Sequence, residues 1–201
     1  MIFPSPSGTG FNLAGMETEE AIRSRRTVKA FDPRPVDRRT LEDLLELARW
    51  APNHNLTNPW RFRVVGPRAL DHLKQAAGEL AARDAPAGAD TGELSRVAAA
   101  KLDRAPTLVV VSVKRSEDEV QDEEDLHAAA VAAYIVLLGA HARGLAGYWR
   151  TPAVLRGEAG RAAVGLPADE RFVGLLYLGH ARQTAEAPDR EPVEHYAEFL
   201  D

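Results

Sequence analysis

The chain has 201 residues, of which 45% are hydrophobic and 27% charged, which is typical of one ordinary globular domain. Its net charge of −5 argues against a nucleic-acid partner, because proteins that bind nucleic acids are usually basic. It has no cysteine, which excludes disulfides, thiolate metal sites and a cysteine nucleophile.

Composition also predicts where the protein works. The absence of cysteine fits a reducing compartment, so we expect a cytoplasmic protein. No apolar run approaches the roughly 20 residues of a membrane helix, so we expect no membrane partner. Residues 1–16 contain Pro, Ser and Gly but no basic or long apolar region, which predicts a flexible lead-in and not a signal peptide. Residues 17–201 are predicted to form a single domain.

Helices and strands are predicted in irregular alternation along the first half. A helix over residues 17–26, with Thr18 near its start, is broken by the prolines at 33 and 35. A second helix over residues 37–50 places Leu41, Leu44, Leu45, Ala48 and Trp50 on one face. A strand follows at 60–65, then helices at 70–83 and 93–104 with a loop between them.

The second half begins with a strand over residues 107–113, whose continuous apolar run predicts cover on both faces. The acidic residues at 117–125 indicate a solvated helix start, or else a metal site, although neighbouring helical carboxylates do not converge on one point. Helix 126–143 is apolar nearly all round and should be buried, centrally or against a partner subunit, with Gly144 as its C-cap. His127 and His141 on this helix are too far apart to share a metal and are interpreted as ordinary polar positions. A strand at 146–150, a helix at 154–164, a strand at 171–180 and a polar tail complete the prediction.

A cation cluster follows the first helix: Arg25, Arg26 and Lys29 surround the hydroxyl of Thr27. Guanidinium groups bind phosphate oxygens in paired, charge-assisted hydrogen bonds, although cations at a helix end can also simply offset its dipole. No dinucleotide-binding glycine fingerprint or P-loop is present, so any phosphate must be held by side chains.

A second polar segment joins the second helix to Trp60. Residues 51–58 contain Asn53, His54 and Asn58 between prolines. Such a loop can line a pocket, or it can be ordinary turn chemistry.

Taken in order, these segments resemble the nitroreductase family of flavoproteins, and most closely its small, minimal branch. The resemblance covers roughly residues 20–182. It implies an α+β sandwich with a central, mostly antiparallel sheet flanked by helices, and a homodimer with FMN at its interface. The segments that carry it are Arg25-Arg26-Thr27-Val28-Lys29-Ala30-Phe31, Ala51-Pro52-Asn53-His54, Pro59-Trp60-Arg61-Phe62, Gly147-Tyr148-Trp149-Arg150-Thr151 and residues 173–179.

The resemblance also implies roles for the cation cluster. Arg25 and Thr27 match the residues that hold the phosphate and ribityl oxygens of FMN, and Arg26 contributes at the same place. Lys29 matches a basic residue near the pyrimidine end of the flavin, where a cation stabilises negative charge on the reduced ring.

Two other segments complete the site that the resemblance implies. Trp50 and His54 match a loop that reaches the flavin of the other subunit. Trp149, Arg150 and Thr151 match a strand end beside the ring; Pro152 has no N–H, so Thr151 is the expected donor to flavin N5. Asn58 stands where relatives often have Gln or Ser, and Arg182 either reaches the phosphate or is solvated.

The function implied is hydride transfer from NAD(P)H through flavin N5 to a nitroaromatic, quinone or similar acceptor by a ping-pong mechanism. This reaction depends on the positions of the reactants and on electrostatics more than on a catalytic acid or base, so we predict no catalytic residue. Residues 66–105 would form the lid over the substrate. The alternatives are other flavin chemistry on the same fold, such as flavin fragmentation, dehalogenation or azoline oxidation, and a non-catalytic flavin-binding dimer.

Overall fold

Six α-helices and four β-strands follow one another along residues 16–200, the part of the chain that the computed structural model describes. The predicted lead-in at 1–16 lies outside these residues except for Met16. The helices are α1 Thr18–Ser24, α2 Arg38–Ala48, α3 Pro67–Arg83, α4 Thr91–Ala100, α5 Glu119–Ala142 and α6 Glu158–Ala163. The strands are β1 Trp60–Val64, β2 Thr107–Lys114, β3 Ala146–Arg150 and β4 Glu170–Gly179.

The four strands form one sheet in the order β1-β2-β4-β3, and every neighbouring pair is antiparallel. Successive side chains of a strand point to opposite faces. Val109 and Val111 of β2 therefore pack with α2 and α5, whereas Val110 packs with α3 on the other side. The α+β prediction with an antiparallel sheet between helices is confirmed, as is the double cover of the strand at 107–113.

Helix α5 is the central element of one layer. Its small residues Ala129, Ala132, Ala133 and Ala140 are completely buried against α2 and the sheet. It is long and apolar enough to cross a membrane by length and composition, although we expected no such run. Half of that stretch (50%) is buried inside the structure, as in the core helix of a folded protein.

Some helices begin or end at other residues than predicted, because a capping side chain or a glycine sets the boundary. Helix α5 begins seven residues earlier than expected, because the Asp118 side chain accepts a hydrogen bond from the N–H of Gln121 and so caps it. The single helix expected at 154–164 is instead a 3₁₀ turn, Ala153–Arg156, and then α6, since Gly157 between them is extended. Trp50, expected on the buried face of the second helix, lies beyond the end of α2 and is 74% exposed.

Within residues 16–200, the tail after β4 bonds to the rest of the chain at its start, where Ala181 bridges Phe31 and the Arg182 N–H donates to the Ala30 carbonyl. Every residue at 181–200 is exposed, including a 3₁₀ turn at Val193–His195. Its apolar side chains Tyr196, Phe199 and Leu200 are 69%, 96% and 85% exposed. Such side chains are normally covered, so the tail is suited to packing on a second molecule.

Candidate functional site

The cation cluster lies beside the start of β3. Thr27 forms an isolated parallel bridge with Gly147, and the N–H of Val28 donates to the Gly147 carbonyl at 3.5 Å. Further on, Phe31 bridges Ala181. Thr27 and Lys29 are both exposed within this segment, whereas Val28 between them is buried. The segment is thus pinned to the sheet while its polar side chains remain free to meet a ligand.

A cavity of about 310 Å³ opens at this place. Arg25, Arg26, Ser24, His141 and Gly147 are among its lining residues. The Nε of Arg25 is buried and has no hydrogen-bond partner within residues 16–200. A buried donor left unpaired costs about 1–3 kcal/mol, and an acceptor bound in the cavity would remove that cost. The residues present therefore fit an anionic group such as a phosphate.

Other contacts fix the two arginines. The Arg25 guanidinium lies 5.8 Å from the centre of the Tyr134 ring on α5, a cation–π distance. Arg26 donates to the carbonyls of Arg23 at 2.6 Å and of Arg25 at 2.9 Å. Of the two arginines, Arg26 therefore already donates to backbone carbonyls, whereas the Nε–H of Arg25 remains available to a ligand.

His141, near the C-terminal end of α5, also lines this cavity and was missed by sequence reasoning. Its Nε2 lies 2.7 Å from the Ser24 hydroxyl. Burial lowers the pKa of His141, and the nearby charges of Arg25 and Arg26 lower it further, so the ring is neutral at pH 7. Nothing in the sequence links Ser24 to His141, because only the fold brings the end of α1 to the end of α5.

The loop at 51–58 lies at the other end of α5. Asn55 donates to the Gln121 side chain at 2.7 Å, and Thr57 donates to the Asp125 carboxylate at 2.5 Å. Asn55, Leu56 and Asn58 have positive φ angles of 57°, 52° and 47°, which are costly for residues other than glycine. His54 within this loop and Trp50 just before it are both exposed, so the polar side chains of the loop face outward.

One chain does not bring these two segments together. Gln121, beneath the loop, and His141, beside Arg25, are separated by a helix that rises about 1.5 Å per residue, or about 30 Å in all. His54, the neighbour of Asn55 in that loop, therefore cannot reach a ligand held by Arg25 in the same chain. Trp50 does not share that distance, because Leu47, three residues before it, lies against Gly139 of α5.

The end of β3 carries the third group of predicted residues. The indole N–H of Trp149 donates to the Val173 carbonyl at 3.3 Å, and its ring covers Gly174. Arg150 borders a cavity of about 240 Å³ together with Leu80 of α3 and Pro152. Thr151 is exposed directly after the strand. The ring of Trp149 is thus used in packing, whereas Arg150 is half-buried at the edge of this cavity and Thr151 is exposed.

Aromatic stacking holds the strand in place beneath these residues. The ring of Tyr148 lies 4.5 Å from that of Tyr177 and 6.4 Å from that of Phe31. Burial raises the pKa of Tyr177 to about 12, with a smaller effect from Tyr148. The Tyr177 phenol therefore stays protonated at neutral pH.

The acidic run at the start of α5 is structural. Burial alone would raise the pKa of Asp122, but hydrogen bonds from the Ser116 N–H and the Arg115 guanidinium lower it overall. Between residues 16 and 200 there is no group of three or more His, Cys, Asp or Glu side chains that could hold a metal ion. These contacts agree with the prediction of a helix start, with the difference that Asp122 and Asp125 are buried.

Comparison with known proteins places these features in a wider group. A model of the Nitroreductase family matches residues 22–180. The "Putative NAD(P)H nitroreductase YfhC" of Bacillus subtilis is 29% identical over 178 residues, covering 87% of this chain and 89% of that protein. The 5,6-dimethylbenzimidazole synthase of Rhodospirillum rubrum is 28% identical over 179 residues, covering 83% of each.

Solved structures agree on the fold. A nitroreductase-like family protein from Bacillus cereus superposes with a TM-score of 0.79 at 22% identity, covering 97% of this chain and 100% of that one. The FMN-dependent nitroreductase NfnB of Mycobacterium smegmatis, solved with NADPH, gives 0.73 at 22% identity, covering 92% and 98%. At these identities the likeness establishes the architecture.

Proposed function

Because this chain belongs to the nitroreductase family, we propose that it is an FMN-dependent oxidoreductase that uses NAD(P)H to reduce a nitroaromatic, quinone or similar acceptor. The observation that carries the proposal is the buried Nε of Arg25, which has no hydrogen-bond partner in the described part of the chain and lies beside a cavity lined by Arg25 and Arg26. Bound FMN would supply the two-electron chemistry, and the protein would supply position and electrostatics.

The phosphate end of FMN belongs, in this proposal, at the cavity beside α1. Arg25 would donate from its guanidinium, and Thr27 and Arg26 would add donors from the same segment. Ser24 and neutral His141 would border the phosphate without adding charge. Lys29, exposed two residues after Thr27, would stabilise negative charge on the reduced ring.

The ring end belongs near the end of β3. Thr151 follows the strand and has a backbone N–H, whereas Pro152 has none, so Thr151 is the donor proposed for flavin N5. Arg150 lies on the same side of the sheet as Leu80 and would border the acceptor. The lid role of residues 66–105 fits this arrangement, since α3 and α4 both border that cavity.

The complete site requires a homodimer. His54 lies about 30 Å along α5 from Arg25, so it would serve the flavin bound mainly by the partner, and the family resemblance assigns Trp50 to the same role. The exposed tail supports the same conclusion, because residues 16–200 leave Phe199 and Leu200 almost fully exposed. Two-fold symmetry would then give two equivalent sites.

The visible spectrum of the purified protein tests the proposal. We expect a flavin spectrum that bleaches when NADH or NADPH is added without oxygen and returns when a nitroaromatic or quinone is supplied. A protein that stays colourless after incubation with FMN would overturn the proposal and favour a structural dimer.

Flavin fragmentation is the second candidate, and the similarity to a 5,6-dimethylbenzimidazole synthase is the observation that favours it. The two functions differ in the fate of the flavin. An oxidoreductase keeps FMN intact through many turnovers of NAD(P)H, whereas a fragmenting enzyme consumes reduced flavin with oxygen. Chromatography of the flavin before and after turnover separates them.

A further inference from the structure

Four arginines surround a cavity of about 450 Å³ at the beginning of β4, away from the proposed FMN phosphate site. We propose that this arginine cluster, formed by Arg115, Arg156, Arg161 and Arg171, binds the 2′-phosphate of the dinucleotide donor and makes NADPH the preferred reductant. The inference rests on the proposed function, because it assigns a donor to that same reaction.

The carboxylate that lines this cavity is already paired. Glu170 accepts two hydrogen bonds from the Arg63 guanidinium, at 2.7 Å and 2.9 Å, and one from Ser112 at 2.5 Å. Burial alone would raise the pKa of Glu170, but these hydrogen bonds lower it overall, so it stays ionised. Its charge is balanced by Arg63, which leaves it little capacity to neutralise the four arginines.

Two of the four arginines are held by contacts within residues 16–200, and the other two are not. Arg115 pairs with Asp122 at 3.1 Å, and Arg161 donates to the carbonyls of Pro167 and Glu170. Arg156 and Arg171 are exposed, and in the described chain their side chains make no hydrogen bond or ion pair. Since the whole protein carries a net charge of −5, a local excess of cations does not follow from its composition. Two free guanidinium groups on one cavity are suited to a phosphate dianion.

Adjoining cavities connect the cluster to the proposed ring site. Arg156 also borders a cavity of about 1040 Å³ between α3 and α6. That cavity shares Leu80 and Val154 with the one beside Arg150. Glu79, Arg83, Asp84 and Glu158 also line that cavity, and Arg83 pairs with Asp84 at 2.9 Å, so its acidic side chains are partly balanced.

The spacing suits a dinucleotide. Arg150 pairs with Leu175 of β4, and Arg171 lies four residues earlier on the same strand, about 13 Å away at the rise of an extended chain. A nicotinamide held near Arg150 and Thr151 would therefore place the adenosine end of the same molecule within reach of the cluster. NADH has the same length but no 2′-phosphate to bind there.

The reductive half-reaction tests this directly. Flavin bleaching is followed without oxygen at increasing NADPH or NADH, in the native protein and in Arg156→Ala and Arg171→Ala. In the native protein, we expect bleaching to reach half its maximal rate at a clearly lower concentration of NADPH than of NADH. Each substitution should raise the NADPH value about five- to tenfold, as for a partly solvated charge-assisted bond, and leave the NADH value within about twofold. Arg39→Ala, which removes an exposed cation from α2, is the matched control and should change neither.

Competition with 2′-phosphoadenosine supplies a second readout that does not depend on the flavin. It should displace NADPH from the native protein and do so more weakly in Arg156→Ala. Equal half-saturation by NADPH and NADH, or substitutions without effect on NADPH, would overturn the inference while leaving the proposed function intact. Failure of both dinucleotides to reduce bound flavin would overturn both.

Discussion

Gly174 of β4 lies directly beneath the indole of Trp149, so the substitution Gly174→Ala tests how tightly the end of β3 is held. A Cβ at position 174 would lie 1.9 Å from the Trp149 Nε1 and 2.6 Å from its Cε2. Both distances are far below contact distance, so the indole must move away from the sheet. That movement also breaks its hydrogen bond to the Val173 carbonyl, now 3.3 Å long.

The cost has two parts. Forcing one extra carbon into a packed site costs roughly 1–3 kcal/mol, and losing a typical hydrogen bond costs about 1 kcal/mol. We therefore expect Gly174→Ala to lower the free energy of unfolding by roughly 2–4 kcal/mol. Gly66→Ala is the matched control, because a Cβ at position 66 meets no atom within 4 Å.

Urea denaturation of the four proteins in a double-mutant cycle with Trp149→Phe measures this energy. The smaller ring of phenylalanine lacks the Nε1 that the new Cβ would strike, so Gly174→Ala should cost much less in that background. Equal costs in the two backgrounds would refute the reasoning, since they would show that the indole is not what excludes a side chain at 174.

The remaining predictions concern the ligand, assembly and acid stability. Arg25→Ala should weaken FMN binding by roughly 1.5–3 kcal/mol with little change in unfolding, and unchanged affinity would remove Arg25 from the phosphate site. Double-reciprocal plots of the initial rate at several acceptor concentrations should give parallel lines, as in a ping-pong mechanism, and intersecting lines would contradict it. Sedimentation should show a dimer at low micromolar concentration, and deletion of residues 183–200 should shift it towards monomer; a native monomer with stoichiometric FMN would defeat this. The pKa of Glu170 is lowered on folding from its ordinary 4.5, so its contribution to stability is present above that pH and is lost as the pH falls through the folded pKa. Glu170→Gln should remove that acid dependence and cost roughly 2–3 kcal/mol at neutral pH, below the range for fully buried pairs because Arg63 is 25% exposed.

Sequence predicted most of the fold because local patterns decide it. The run of valines in β2 predicted a strand covered on both faces, and the alanine-rich helix predicted burial. Asp118 was not recognised as the cap of α5, since an acidic run offers several carboxylates as cap candidates. The split at Gly157 was likewise missed, because one extended glycine interrupts the helix without changing its apolar pattern.

The site was predicted less completely, for a different reason. The cation cluster is contiguous in sequence, so Arg25, Arg26, Thr27 and Lys29 could be singled out together. His141 could not, because its only signal is a hydrogen bond to Ser24 across the fold. The arginine cluster was missed in the same way, since Arg115, Arg156, Arg161 and Arg171 come from separate segments that meet at the start of β4.

Because Arg25 and His54 lie at opposite ends of α5, each proposed site draws residues from both subunits, and mixed dimers can test this sharing. Suppose that one subunit carries Arg25→Ala and its partner carries His54→Ala. In the mixed dimer, one site would combine both defects and the other would contain neither, because each site takes its phosphate residues and its loop from different chains. Two inactive homodimers, dissociated and mixed, would then regain up to about half of the native activity in the mixed fraction, carried by a site that neither parent protein possesses.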